Sequence, residues 1–306
     1  MVNAVVLAGG KSKVTLEDLL SRVIELPFYR EVYLFGTYKP LIKVGGEIEG
    51  IKKMRPAIEY PLHALVTAKN IEDINVVGEK EKLEKGLDIN LKTYSERCNI
   101  IQQVGSLKEN ALLGYNNFRK KGHTLFITAD ASLLASDEID DFVTICSKDF
   151  ASYDVFYPII SRKYLHKYEN EFRNRNYFWI KDDITGEKDE FIAKGMRGFR
   201  ISNMVIANLD AIKNLDFVDF AYSARKLRNP LNAIKLLATF WDEEISYVKG
   251  TLTLSELQDK MSGVLGARFK FVPSAYARSS LDLDAYCDKA GIEKVNGYHA
   301  HAKLNS

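Results

Sequence analysis

Cysteine is scarce. Cys98, Cys146 and Cys287 are widely spaced and odd in number, which excludes a disulfide framework and a paired-cysteine zinc site. Net charge is nearly absent too: 43 Lys and Arg stand against 41 Asp and Glu, leaving a formal +2. Such a balance carries no global electrostatic footprint for nucleic acid or an anionic membrane. Proline and glycine are sparse, at 7 and 19 of 306 residues, while 46% of the chain is hydrophobic. That composition rules out collagen-like and disordered chains and leaves enough apolar material for a sizeable core. No apolar run approaches the roughly 18 residues of a membrane span. The run Val2–Ala8 is short and lacks a basic flank, so it does not read as a signal peptide. The expectation is a cytoplasmic protein, monomeric or homodimeric, with no nucleic-acid or membrane partner.

What is present is alternation. Short β-rich apolar runs alternate with helix-period segments through the first half, the pattern of a mostly parallel sheet built from βαβ units. Val2–Ala8 predicts a buried first strand, and Thr15 with Asp18 predicts a helix cap beyond the glycines that follow it. Pro61 is placed to open the next helix, with Leu62, Leu65, Val66 and Lys69 at helical spacing, and 74–78 reads as a strand. Ser106 and Glu109 have the spacing of a capping box, before Leu107, Ala111, Tyr115 and Phe118 on one helix face. A strand over 123–128 runs into Asp130, and a helix over 136–146 has Ile139, Phe142, Val143 and Cys146 as its buried stripe. Strands are also expected at 154–160 and 268–273, with 209–262 mainly helical in pattern, most clearly at 227–240.

Several residues have the chemistry of a site. Gly9-Gly10-Lys11-Ser12 imitates the end of a P-loop, but the first glycine of that motif would fall on Val5, and the dinucleotide fingerprint fails at Ser12 and Lys13. What remains is a strand ending in Leu7 and Ala8, two glycines that permit close backbone approach, and two lysines beside a helix N-terminus. That suits phosphate, or a plain turn with solvated lysines. Asp130 follows the C-terminal end of a strand, the edge where open α/β sheets bind ligands, although an Asp there also serves as a turn former. Alternation puts Asp282 and Asp284 on one face of an extended segment, which suits a metal or a solvated edge. Arg197, Arg200 and Asn203 precede a strand-like 204–207 and either face a ligand or pair on the surface. Tyr177, Phe178 and Trp179 fit the core of a lid better than a stacking platform, and His299 and His301 read as tail residues.

Five short segments occur in an order that carries more information than any one of them. They are Ala4 to Gly10; Lys39 to Gly46 with Arg55 to Leu62; Gly105-Ser106 with Glu109-Asn110; Phe126 to Leu134 around Asp130; and Leu281-Asp282-Leu283-Asp284 with Asp288. In that order they resemble the MobA-like nucleotidyltransferases, in their opening "VLAGG", "LLPVGG" with "PMIEYVL", base-side, "DIPLL" and closing "DVDTPED" blocks. Three departures stand out. Val14 occupies a position where the family usually carries Arg, Glu47 to Met54 is an insertion, and Tyr286-Cys287 replaces Pro-Glu.

The resemblance implies a Rossmann-like three-layer sandwich with a mostly parallel central sheet and an acceptor-side helical subdomain. One domain over 1–306 would hold a nucleotide-binding core (1–160), an insertion or lid (161–270) and a returning metal-site segment (271–290). It implies transfer of a nucleotidyl group from an NTP to a phosphorylated small molecule, with release of pyrophosphate and Mg²⁺ as cofactor. By the same resemblance Lys39 and Asp130 are catalytic. Leu7, Ala8, Gly9, Gly10, Lys11, Lys13, Gly105 and Ser106 bind nucleotide; Asp130, Asp282 and Asp284 hold metal; and Arg197, Arg200 and Asn203 meet the acceptor. Such chemistry needs no protein base, because a phosphate monoester with a second pKa of about 6 is already ionised near neutrality. Positioning and charge neutralisation remain. A non-catalytic nucleotide sensor and a metal-dependent glycosyltransferase are the alternatives; the lack of a DxD after the Asp130 strand argues against the latter.

Overall fold

The computed structural model describes residues 1–9, 38–87, 96–168, 172, 177–186, 196–225, 246–247, 249–283 and 286–296. The expected helix cap at Thr15, the 227–240 helix and the histidine tail lie outside them.

β1 (Val2–Ala8) is apolar except for Asn3 and lies inside the sheet, buried on both faces as a parallel strand must be. It pairs in parallel with β4 (Ile71–Gly78) on one side and β6 (Thr124–Thr128) on the other, with Ala8 opposite Gly78 and Leu7 opposite Thr128. β5 (Cys98–Gln102) extends the sheet beyond β4. Past β6 the sheet continues through β10 (Met204–Ala207) to β7 (Val155–Ser161), then β9 (Arg197–Ile201) and β8 (Phe178–Ile180). β11 (Phe269–Ser274) runs parallel to β7, while β10 and β9 run antiparallel to it. The stretch 161–270, expected as an insertion, thus contributes three strands to the central sheet.

β9 and β10 act as one bent strand broken at Ser202 and Asn203, level with the end of β6: the Thr128 amide donates to the Asn203 carbonyl at 3.2 Å. Above the break β9 leaves β6 and pairs with β8 instead. The break lies at the carboxyl edge of the sheet, beside the turn that carries Asp130.

Alternate side chains of β1 feed two cores. Ala4, Val6 and Ala8 face α1 (Glu59–Thr67), α2 (Lys80–Gly86) and α4 (Ser136–Ser147), where the stripe Ile139, Phe142, Val143 and Cys146 is fully buried as its spacing requires. Val5 faces α3 (Leu107–Asn116), α6 (Asp216–Arg225) and α7 (Leu254–Leu265). The result is a three-layer sandwich, mixed α/β with a mostly parallel sheet. α1 begins two residues before Pro61 and ends at Thr67, which leaves Lys69 exposed beyond it. Among the described residues no helix is long and apolar enough to cross a membrane.

The expected insertion proves to be an antiparallel hairpin, β2 (Lys43–Ile48) and β3 (Ile51–Pro56). Its turn places Glu49 and Gly50 at φ +52° and +78°, the left-handed pair that matches strand twist in a tight hairpin. The hairpin packs on α8 (Tyr286–Val295), where the Gly45 amide donates to Glu293 Oε1 at 3.0 Å. Val44 and Ile48 join Tyr60, Leu133, Ile160, Leu281, Leu283 and Ile292 in a third apolar cluster, built from loops and edges around the carboxyl end of the sheet.

Candidate functional site

β4 lies on one side of β1 and β6 on the other, so the crossovers on either side diverge above β1. That is the switch point at which open α/β sheets leave room for a ligand. The carboxyl ends of β1 and β6 are tied directly: the Ala129 amide donates to the Leu7 carbonyl at 3.1 Å. Asp130 follows in a tight turn, closed by Ser132 N–H to Asp130 O at 2.8 Å and by Ala131 N–H to Thr128 O at 3.3 Å. Ser132 Oγ donates to the Ala57 carbonyl, so the same turn also anchors the entry to α1.

Gly9 ends β1 against the turn that opens α3. A Cβ at Gly9 would lie 2.6 Å from Gln103 Oε1 and 3.7 Å from Asn110 Nδ2, so only glycine fits without displacing Gln103. Asn110 braces that turn, accepting from the Val104 amide at 2.9 Å and donating to the Gly105 carbonyl at 3.3 Å. The expected capping box is present in both directions between Ser106 and Glu109. It has a consequence that the pattern alone does not show. The amides of Ser106, Lys108 and Glu109 already meet Glu109 Oε2, Asp219 Oδ1 and Ser106 Oγ, at 2.7, 2.8 and 3.2 Å. Two carboxylates, Glu109 and Asp219, therefore already lie at the α3 N-terminus, where their charge works against a bound anion.

Lys39 opens a short turn, Lys39–Leu41, beside the end of β4. Its neighbour Tyr38 accepts from the Glu79 amide at 2.9 Å, and its hydroxyl would lie 2.6 Å from a Cβ on Gly78, the residue opposite Ala8. Burial pushes the Tyr38 phenol up to about 12, so it stays a neutral prop.

On the far side of Asp130 three turns are stitched by main-chain bonds. Thr128 N–H reaches Asn203 O, and Asn203 N–H reaches Ser279 O at 2.8 Å. Arg200 donates from Nε to the Ser280 carbonyl at 2.8 Å and from Nη2 to Asp282 Oδ1 at 3.2 Å. Asp282 is 7% exposed, so its charge sits beside a cation rather than on a solvated edge. Asp130 and Asp282 offer the hard carboxylate oxygens that a divalent cation prefers, on turns that share Asn203 as a splice. Among the described residues no group of three or more His, Cys, Asp or Glu side chains gathers as a ready-made metal cage.

The structure thus brings Leu7, Ala8, Gly9, Lys39, Gly105, Ser106, Asp130, Arg200, Asn203 and Asp282 to one edge of the sheet. Arg197 stands apart: it is 4% exposed and bonds Asp182 Oδ2 at 2.5 Å and Thr185 Oγ1 at 2.8 Å, on the strand pair β8–β9. Gly10, Lys11, Lys13 and Asp284 lie outside the described residues. Sequence reasoning missed Gln103, Tyr38 and Glu138. For Glu138 a signal existed, since it lies four residues before Phe142 on the buried stripe of α4, where a carboxylate is out of place.

A shallow depression of about 630 Å³ lies elsewhere, at the amino edge of β7 and β11, lined by residues including Asp154, Lys213, Gln258 and Arg268. None of the candidate residues lines it.

The fold is similar to that of a hypothetical transferase from Thermus thermophilus, with a TM-score of 0.62 and 19% identity over 94% of this chain and 100% of that one. It is also similar to CMP:2-keto-3-deoxy-manno-octonic acid synthetase in complex with CTP, with a TM-score of 0.50 and 10% identity over 97% and 98% of the two chains. At these identities the likeness is one of fold. No family model and no curated protein matches the chain.

Proposed function

We propose that the protein is a nucleotidyltransferase that couples an NTP to a phosphorylated small-molecule acceptor and releases pyrophosphate. The observation that carries this reading is the convergence of the ends of β1 and β6, the α3 turn, Lys39 and the Arg200–Asp282 pair on one edge at the switch point. The fold shared with a synthetase solved with CTP supports it.

In this reading the base lies over Gly9 against Gln103 and Gly105-Ser106, where the α3 amides are occupied and a neutral ring fits better than an anion. The triphosphate runs toward Lys39, with Lys11 and Lys13 as further contacts. An ammonium suits the α-phosphate because it places a compact charge where charge grows during displacement. Arg200 and Asn203 border the acceptor, while Arg197 braces β9 from behind through Asp182. Asp130 and Asp282, with Asp284 as a further candidate, would hold Mg²⁺. The ion would neutralise phosphate oxygens and orient them for in-line attack. The acceptor phosphate arrives ionised, so the residues bind, orient and neutralise and need not remove a proton.

The test is pyrophosphate release from a panel of NTPs with pooled phosphorylated metabolites, with and without Mg²⁺. Release dependent on both substrates supports the proposal. Binding of a nucleotide sugar without pyrophosphate release, or nucleotide binding with no turnover under any pairing, overturns it.

A further inference from the structure

Glu138 is a fully buried carboxylate in the first turn of α4, the helix that follows the Asp130 turn. Its partner is not on its own helix. Glu138 Oε1 accepts from the backbone amide of Ser279 at 3.1 Å, across more than a hundred residues of chain. Next to it Asp137 Oδ1 accepts from Arg278 Nη2 at 3.2 Å, so two consecutive acids grip two consecutive residues of the returning turn. From Ser279 the bonds run on to the site. Its carbonyl accepts from Asn203 N–H, the Ser280 carbonyl accepts from Arg200 Nε, and Arg200 reaches Asp282.

An apolar residue would fill this stripe position at lower cost, because burying a carboxylate costs several kcal/mol unless it is well partnered. The carboxylate is explained if the amide it holds must stay in place. We propose that Glu138 is a positioning residue, locking the turn that carries Asp282 onto the helix that follows Asp130 and so fixing the spacing of the two carboxylates. The inference rests on the nucleotidyltransferase reading for its consequence, and on the Ser279 contact for its geometry.

Burial pushes the Glu138 carboxyl up to about 7, against the Ser279 bonds and Arg278, which pull it down. The other titratable groups that face it are Asp137 on its own helix and Tyr276 on the returning turn. The ionised form is the stronger acceptor, so the lock tightens as pH rises through neutrality.

Two full-length variants test this, Glu138→Gln and Glu138→Leu. Glutamine keeps an oxygen for the Ser279 amide without a charge, and leucine keeps the volume alone. The first readout needs no substrate: backbone amide exchange over 279–282 in the nucleotide-free protein. Leucine should speed it about tenfold, the equivalent of one lost hydrogen bond, while glutamine, which keeps a neutral acceptor, falls between leucine and wild type. The second is the Mg²⁺ dependence of pyrophosphate release. Leucine should raise the half-saturating Mg²⁺ about tenfold, as loss of an outer partner does at metal sites, with a smaller change in NTP binding. Glutamine, a neutral acceptor like the protonated acid, should hold at pH 8 the value that wild type shows below neutrality and so remove the inflection. Wild-type exchange and Mg²⁺ dependence in the leucine variant overturn the proposal. So does a glutamine variant that keeps the wild-type inflection, and this arm stands alone if the leucine variant does not fold. If wild-type protein releases no pyrophosphate, the reaction is refuted and the exchange arm alone decides the role of Glu138.

Discussion

Arg200 lies 3.2 Å from Asp282, and both side chains are mostly buried, so Asp282 reaches the sheet edge already facing a cation. A divalent ion at that corner would share its carboxylate with a guanidinium. In the proposed reading Asp130, on the opposite turn, would then carry the greater part of the ion's charge compensation. The two acids are unequal, and that inequality can be tested.

Asp130→Asn should abolish pyrophosphate release, a loss on the order of a hundredfold or more, while leaving the apo melting temperature nearly unchanged. Asp282→Asn should cost activity and also lower the melting temperature, because it leaves Arg200 without its buried partner. Parallel turnover and thermal-unfolding measurements check both, and equal thermal effects would contradict the assignment.

Lys39 and Lys43 provide a second contrast. Lys39 starts the turn beside Gly78, whereas Lys43 is exposed at the start of the hairpin. Lys39→Ala should lower kcat on the order of a hundredfold with a smaller effect on NTP binding, and Lys43→Ala should be nearly silent. Saturation kinetics on the two variants separate these outcomes. Arginine at 39 should rescue poorly, since its planar fork carries charge on a different stem.

Away from the site, Asp154 takes Arg268 bidentately at 2.9 and 2.7 Å, and that hydrogen-bonded guanidinium holds its carboxyl below the usual range. A depressed carboxyl stabilises the fold above the unfolded pKa of about 3.9 and loses that effect as pH falls through its own lower value. Asp154→Asn should therefore lower the melting temperature at pH 7, and the gap to wild type should close in acid. Thermal melts from pH 7 down to about pH 2 check this.

Gly114 tests how close α3 approaches the sheet. A Cβ there would stand 2.6 Å from Val5 Cγ1 and 3.0 Å from Val77 Cγ2. Alanine gains about 1 kcal/mol of helix propensity but overpacks the core at a typical cost of about 1–3 kcal/mol. Gly114→Ala should thus be neutral to destabilising despite being mid-helix, as urea unfolding would show.

How much of this was legible beforehand depends on the range of the interactions. β1, the Ser106–Glu109 box and the α4 stripe are local patterns, and they appear where 3.6- and 2-residue periods put them. The insertion was legible as a length, not as a hairpin, because Glu49-Gly50 is a weaker turn signal than Asn-Gly or Asp-Gly. The break at Ser202 and Asn203 was not legible at all, since it is made by partners at Pro158 and Ser279. The same holds for Arg197, whose Asp182 partner arises from strand pairing between β8 and β9. Asp219 on the Lys108 amide is likewise long-range, and it changes what the α3 turn can bind.

The splice at Asn203 also sets an order of assembly. β1, β4, β5 and β6 pair from the first half of the chain, whereas Asn203 waits for Ser279 to emerge from the ribosome. During synthesis the edge that carries Asp130 exists well before the turn that carries Asp282. A chain that ends before Ser279 lacks both the acceptor of the Asn203 amide and the turn that carries Asp282.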